Sequence, residues 1–281
     1  MLSMERGWSW NPINLVKKWN DNCMGRVSNK VALITGAASG LGKADAIRLS
    51  EEGAKLVLTD INVQEGKLVA KDCKNEALFF EQDVSQEKSW PDIINATISE
   101  FGKLDILVNN AGIAPIGNIE STSTDQWHDT LRVNLDSVFF GCRAAIPEIS
   151  KSGGGSIINM SSTTALVGLS PYLAYSAAKG GIRSMTKSIA MHCQEQKNNI
   201  RCNSIHPGSI FTPMVDNALQ TLAGIKLMEL DDPEATRKAM GIGEPLDVAN
   251  MVLFLASDES KHINGAELVI DNGATAGDIS G

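Results

Sequence analysis

From residue 31 onward the chain repeats one pattern: a short, continuously apolar run followed by a longer stretch with helical periodicity. The apolar runs fall at 31–35, 55–60, 77–80, 104–109, 156–160 and 200–206. Helical patterns separate them at 41–52, 64–75, 86–101, 123–149 and 172–195. A strand covered on one face alternates apolar and polar residues, whereas an uninterrupted apolar run belongs to a strand covered on both. Strands of that kind alternating with helices dictate a doubly wound parallel sheet. The expected class is α/β, a single Rossmann-fold domain over residues 30–281 behind an N-terminal extension at 1–29. A last apolar helix at 248–256 and a short strand at 268–270 bring the sheet to about seven strands.

Two places disturb the rhythm. Pro91 lies inside the third helical stretch, where it would break the hydrogen-bond ladder. That helix is therefore expected to begin near Ser89, with Pro91 in its first turn. Residues 209–243 form a patchily helical insertion bearing Met214, Leu219, Leu222, Ile225, Leu227, Met228 and Met240. It is expected to act as a lid.

Composition narrows the partners. A net charge of −8 and the lack of any long Lys/Arg run argue against nucleic acid. No apolar run approaches the ~20 residues needed to span a bilayer. Residues 1–30 lack the compact apolar stretch and cleavage site of a signal peptide. Trp8, Trp10 and Trp19 with Lys17 and Lys18 permit an amphipathic surface helix around 12–20, and Met24 offers an alternative start. Cys23, Cys73, Cys142, Cys193 and Cys202 are odd in number and widely spaced. They read as reduced thiols of a cytoplasmic protein, with no disulfide framework and no metal ligand set.

The first apolar run leads straight into Thr35-Gly36-Ala37-Ala38-Ser39-Gly40-Leu41-Gly42 and then a helix. Glycines there let backbone approach a pyrophosphate, and the helix N-terminus offers free N–H groups and a positive dipole end. Strand before and helix after give the motif its context. The second run ends in Asp60, 18 residues beyond Gly42, where a carboxylate accepts both ribose hydroxyls and repels a 2′-phosphate. Ala38 and Ser39 offer that phosphate no cation, and Lys43 is expected to face solvent. NAD is favoured over NADP. The alternative for Asp60 is a cap on the next helix. Asp83-Val84 and Asn109-Asn110-Ala111-Gly112 end the third and fourth runs, at carboxyl ends of strands where open sheets bind ligands. Asp83 is placed to meet an adenine amino group; the asparagines serve either a ligand or a structural turn.

Tyr175 and Lys179 stand four apart in a helical pattern and so share a face. An unperturbed tyrosine, with a pKa of about 10, is too weakly acidic to act as a base at neutral pH. A neighbouring ammonium and a positive nicotinamide favour the phenolate. Such a pair alone is usually a solvated coincidence, but Asn159-Met160-Ser161-Ser162 ends the fifth run 13 residues before Tyr175. A serine there can hold a substrate oxygen. Asn134 is placed to bend its helix and bind a water in a proton path, or else is a buried structural amide.

Together, Thr35–Gly42, Asn109–Gly112, Asn134, Ser162, Tyr175, Lys179 and Pro207-Gly208 resemble the short-chain dehydrogenase/reductase family, over nearly everything from Gly25 to Gly273. The resemblance implies a Ser-Tyr-Lys-Asn tetrad. Ser162, rather than Ser161, would orient the carbonyl, Tyr175 act as acid/base, Lys179 lower the tyrosine pKa and bind the nicotinamide ribose, and Asn134 hold a relay water. Cofactor contacts would fall on Gly36, Ser39, Gly40, Leu41, Gly42, Asp60, Ile61, Asp83, Val84, Asn110, Ala111, Gly112 and Met160. They would continue through Tyr175 and Lys179 to Pro207, Gly208, Ile210 and Thr212. Homotetramers, built on the helices at 123–149 and 172–195 and on the last helix and strand, are usual in the family.

Within the family, Asn203–Pro207, Thr212-Pro213-Met214, Phe254–Ser260 and Gly265–Leu268 with Asp271-Asn272 resemble bacterial 3β/17β-hydroxysteroid dehydrogenases and alicyclic alcohol dehydrogenases. The apolar insertion, with Leu166, Val167 and Leu169 as a wall, suits a bulky apolar secondary alcohol or its ketone. An anionic substrate would want an arginine fork, and Arg237, the insertion's one arginine, is expected at the solvated surface. Two alternatives stand beside this. A 3-oxoacyl-carrier-protein reductase would prefer NADP, against Asp60. A non-catalytic Rossmann regulator would have no need of Tyr175 and Lys179 together.

Overall fold

The computed structural model describes residues 25–277. The expected surface helix at 12–20, Cys23 and the alternative start at Met24 lie outside them. Seven parallel strands form one sheet: β1 (Val31–Thr35), β2 (Lys55–Asp60), β3 (Ala77–Glu81), β4 (Ile106–Asn109), β5 (Gly155–Met160), β6 (Ile200–Pro207) and β7 (Glu267–Ile270). Their spatial order is β3-β2-β1-β4-β5-β6-β7. The order reverses between β1 and β4, and such a switch point opens a crevice at the strands' carboxyl ends.

Successive strand residues point to opposite faces, and here each face has its own core. Ala32, Ile34, Leu56, Leu58, Val108 and Ile158 pack on α1 (Gly40–Glu51), α2 (Val63–Asp72) and α9 (Pro245–Ala256). Leu33, Val57, Leu107 and Ile157 pack on α3 (Ser89–Phe101), α5 (Ser137–Lys151) and α6 (Leu173–Gln196). Both faces being covered explains why the strands read as continuous apolar runs. β4 starts two residues later than its apolar run; just before it the Asp105 carboxylate turns in to accept the Val31 N–H at 2.8 Å. Helix α3 begins at Ser89, with Pro91 in its first turn as its rigid φ requires. Its buried Trp90 donates the indole N–H to the Val84 carbonyl at 3.0 Å, tying that helix to the crevice.

The long stretch at 123–149 is not one regular helix. It is α4 (Thr124–Leu131), a π-helical turn over Arg132–Asp136, and then α5. The insertion after β6 folds as α7 (Pro213–Ala223), a 3₁₀ turn at Leu227–Glu229 and α8 (Pro233–Ala239). Leu227 is fully buried beneath it, while Met214, Leu222, Met228 and Met240 stay substantially exposed. Arg237 departs from its expected place at the surface. It is only 4% exposed and donates to the Ile242 carbonyl at 2.6 Å and to the carboxylates of Glu234 and Glu244. Those partners absorb its charge and tie the end of the insertion to the start of α9.

Asp45, on the inner face of α1, is 0% exposed, and neither carboxylate oxygen has a partner among the described residues. Burial drives its pKa well above the ordinary carboxylate value and so favours the neutral acid. Asp45→Ala removes this unsatisfied group and adds helix propensity. It is expected to stabilise the protein by about 1–2 kcal/mol, net of the small cavity left behind. The gain grows as pH rises above the ordinary carboxylate range, because only the unfolded chain then ionises. Thermal melts of the two proteins at pH 5 and pH 8 check it; an equal or lower midpoint for the variant at pH 8 would refute it.

Candidate active site

A cavity of about 720 Å³ runs along the carboxyl ends of the strands, from β2 and β3 to the start of α7. At its floor β1 turns into α1. Gly36 has φ +64°, and a Cβ there would come within 2.7 Å of the Ala111 Cα. Asn110 braces the turn from β4. Its backbone N–H donates to Thr35 Oγ1 at 3.1 Å, and its Nδ2 donates to the carbonyls of Thr35 and Gly36 at 3.0 and 3.1 Å. It lines the cavity as well, so the turn it braces is also part of the cavity wall. Ser39 begins α1 without a side-chain capping bond, which leaves the first-turn N–H groups to an anion. Gly36, Ser39, Gly40 and Leu41 face the cavity, but Gly42 does not. A Cβ on Gly42 would collide with the Gly36 carbonyl, so this glycine packs α1 onto the turn.

At the end of β2, Asp60 Oδ2 accepts the Ala38 N–H at 3.0 Å and Oδ1 accepts the Asn62 N–H at 2.9 Å. The cap of α2 is Asn62, which accepts the Glu65 N–H, so the capping role considered for Asp60 belongs to its neighbour. The Asp60 carboxylate is held by backbone and keeps lone pairs for hydroxyls. Ile61 lines the cavity beside it, 72% exposed. Lys43 is exposed and lies outside the cavity. Asp83, beside Val84, is already engaged by the Ser85 N–H and hydroxyl and by Gln86 Nε2. Burial pushes its pKa up, but those hydrogen bonds and the charge of Arg132 outweigh it and hold the carboxyl below its ordinary range.

Helix α6 sets Tyr175 and Lys179 one turn apart, both lining the cavity. Lys179 is 3% exposed; its Nζ donates to the Met160 carbonyl at 2.7 Å and stands 5.4 Å from the centre of the Tyr175 ring. Burial brings the ammonium down to about 7. It pushes the Tyr175 phenol up to about 12, with the Ser162 hydroxyl pulling the other way. In the protein's own field, then, desolvation dominates, and the opposing pull comes from Ser162 rather than from the expected lysine.

Ser162 Oγ accepts the Thr164 N–H at 3.1 Å, which leaves its hydroxyl proton free to donate. Ser161 lines the cavity too, but its hydroxyl is committed to the Lys179 carbonyl at 3.0 Å, pinning α6 to the end of β5. Asn134 sits fully buried in the π-helical turn and does not line the cavity. Its Nδ2 donates to the carbonyls of Ile113 and Thr130, both at 2.9 Å, and its Oδ1 accepts the Ile113 N–H at 3.2 Å. Both side-chain donors are spent on backbone, so any water at Asn134 meets its oxygens. Gly112 closes this corner: a Cβ there would stand 2.5 Å from Asn134 Oδ1 and 3.6 Å from Lys179 Nζ.

Met160, Ala111, Pro207, Gly208, Ile210 and Thr212 complete the expected lining, and Met214 and Val215 extend it onto α7. Leu166, Val167 and Leu169 form no wall of this cavity, and Leu169 is 45% exposed. Gln82, Ser85, Gln86, Ile113, Arg132 and Val133 also line it. They lie in loops and in the π-helical turn, where no periodicity singles them out.

A family profile described as enoyl-(acyl-carrier-protein) reductase matches residues 36–275, from the glycine turn to beyond β7. The chain belongs to the short-chain dehydrogenase/reductase family. It is an oxidoreductase of that family, and its relatives are dehydrogenases of alcohols. An NADP-dependent (R)-specific alcohol dehydrogenase of Lentilactobacillus kefiri is 43% identical, over 89% of this chain and 98% of that one. A 3-alpha-(or 20-beta)-hydroxysteroid dehydrogenase of Mycobacterium bovis is 41% identical, over 90% and 92%. Among solved structures, carveol dehydrogenase from Mycobacterium avium in complex with NAD superposes with a TM-score of 0.82 at 28% identity, over 90% of this chain and all of that one. The first of these uses NADP and the last holds NAD, so the family as a whole does not decide between the two.

Proposed function

We propose that the chain interconverts a bulky apolar secondary alcohol, alicyclic, terpenoid or steroid, and its ketone, with NAD as hydride carrier. The observation that carries the reading is convergence: Ser162, Tyr175 and Lys179 open into the same cavity as the braced glycine turn and Asp60. The cradle fits a dinucleotide, with uncapped N–H groups for the pyrophosphate and a fixed carboxylate for the adenosine ribose. A dinucleotide held by the glycine turn and Asp60 would supply hydride transfer to and from the carbinol carbon. Ser162 donates its free hydroxyl proton to the substrate oxygen and orients it. Tyr175 takes the alcohol proton in oxidation and returns it in reduction. Lys179 holds the nicotinamide ribose and, with the positive ring, supplies the charge that draws the phenol down from its buried value. Exposed methionines and leucines on α7 and the following turn support an apolar substrate under a lid at 209–243.

Asp60 favours NAD over the NADP of the Lentilactobacillus relative, since, among the described residues, the two cations lining the cavity are engaged elsewhere, Arg132 with Asp129 and Asp83 and Lys179 with the Met160 carbonyl. The test is NADH or NADPH formation from cyclohexanol, carveol, a 3-hydroxysteroid and 2-octanol. NAD is expected to support turnover, best with a cyclic alcohol. Asp60→Ala should then narrow the NAD:NADP preference by about 10- to 100-fold, the worth of one or two hydrogen bonds to a charged group. Preference for NADP in the natural protein, or for a short linear alcohol, would overturn the respective half of the proposal.

A further inference from the structure

Strand β6 pairs with β5, and the last rung between them is the Ser161 N–H donating to the Ile205 carbonyl at 2.8 Å. The ladder cannot continue, because Pro207 has no N–H to give. The side chain of His206 takes over. The ring is fully buried, with Nδ1 3.0 Å from the Ser162 carbonyl and Nε2 2.9 Å from Ser204 Oγ. A carbonyl only accepts, so Nδ1 carries the hydrogen. In the neutral ring Nε2 is then the acceptor and the Ser204 hydroxyl its donor. Burial favours that neutral form, helped by the charges of Arg183 and Lys179 and opposed by the Ser162 carbonyl and Glu267.

Ser162 is consequently gripped at two points: its hydroxyl by the Thr164 N–H and its carbonyl by His206. The backbone between is extended, at φ −166° and ψ 160°. We propose that His206 is a positioning residue that sets the aim of the Ser162 hydroxyl from the neighbouring strand, with Ser204 fixing the ring's tautomer. The inference rests on the role given to Ser162 above. It makes the junction of β6 with the Pro207-Gly208 loop a support of the substrate oxygen as well as of the cofactor.

The test joins kinetics with a readout that needs no turnover. Long-range ¹H–¹⁵N correlations on the natural protein, with His206 assigned by its loss in His206→Asn, are expected to show a neutral Nδ1–H ring. His206→Phe should lower kcat with a cyclic alcohol by about 10- to 100-fold, the effect of a small misplacement at the reacting centre. NADH affinity by fluorescence titration should be unchanged. His206→Asn, whose Nδ2 falls close to the place of Nδ1, should recover most of the lost kcat. An Nε2–H tautomer, an unaffected kcat in His206→Phe, or an Asn variant no better than Phe at equal melting temperature would each overturn the inference. If His206→Phe does not fold, the tautomer and the Asn variant decide. A natural protein silent toward every alcohol with either cofactor instead overturns the underlying reading of the site, and this inference with it.

Discussion

Tyr175→Phe is expected to lower kcat by about 10²- to 10⁴-fold while leaving NADH affinity nearly intact, because only the proton carrier is removed. The ring that packs at 6.1 Å from Tyr172 survives the substitution, so the fold around it should too. The two halves of the prediction separate chemistry from architecture. Turnover measured beside a fluorescence titration of NADH checks both. Residual activity within a few-fold of the natural protein would take Tyr175 out of the reaction; loss of binding together with turnover would mark a damaged site instead. Tyr175 also lies in the first turn of α6, where the helix's positive end assists a developing phenolate.

Lys179→Met should be nearly as severe for turnover, again about 10²- to 10⁴-fold, and unlike Tyr175→Phe it should weaken NADH binding as well. The variant also carries a pH signature in stability. The folded-state pKa of Lys179 is depressed to about 7 from its ordinary 10.5, and burial is the cause. Below pH 7 folded and unfolded chains are both protonated there, and the folded protein bears the full cost of a buried ammonium. Between pH 7 and 10.5 the folded protein sheds the proton while the unfolded chain keeps it, so that cost fades. The stability of Lys179→Met relative to the natural protein should therefore be most favourable near pH 6. It should decline by about 1 kcal/mol per pH unit above pH 7. Denaturant melts at pH 6, 7.5 and 9 measure it. A difference that does not change with pH would mean Lys179 stays charged throughout, held by its bond to the Met160 carbonyl.

Much of this molecule is legible in its letters, for identifiable reasons. Strands clothed on both faces leave unbroken apolar runs, and the switch between β1 and β4 follows from their alternation with helices. Pro91 announces the start of α3 through its own rigidity. The glycine turn and Asp60 are readable because each sits at the carboxyl end of a strand, and both line one cavity. The π-helical turn at Arg132–Asp136 is signalled only by the irregularity expected at Asn134, since one widened turn leaves apolar periodicity nearly intact. The burial of Arg237 is not readable, because an arginine signals solvent until Glu234, Glu244 and the Ile242 carbonyl are brought around it. Gly42 shows a subtler limit: its place in a motif suggests a ligand contact, whereas its missing side chain makes room for the Gly36 carbonyl. The support given to Ser162 by His206 crosses between strands and depends on Pro207 lacking a donor, which only the paired sheet reveals.

In the proposed function the carboxylate of Asp60 does two jobs at once, since it meets the dinucleotide ribose and also receives the Ala38 N–H of the glycine turn. Selectivity and scaffold therefore share an atom group. A lineage drifting toward the phosphorylated dinucleotide could not simply discard this acid; it would strand a main-chain donor and slacken the anion cradle in the same step. The smooth evolutionary route runs through a replacement such as asparagine, which still accepts from Ala38 but no longer repels a phosphate. Changes of cofactor along this branch should thus pass through residues that keep an oxygen in that place before any cation arrives.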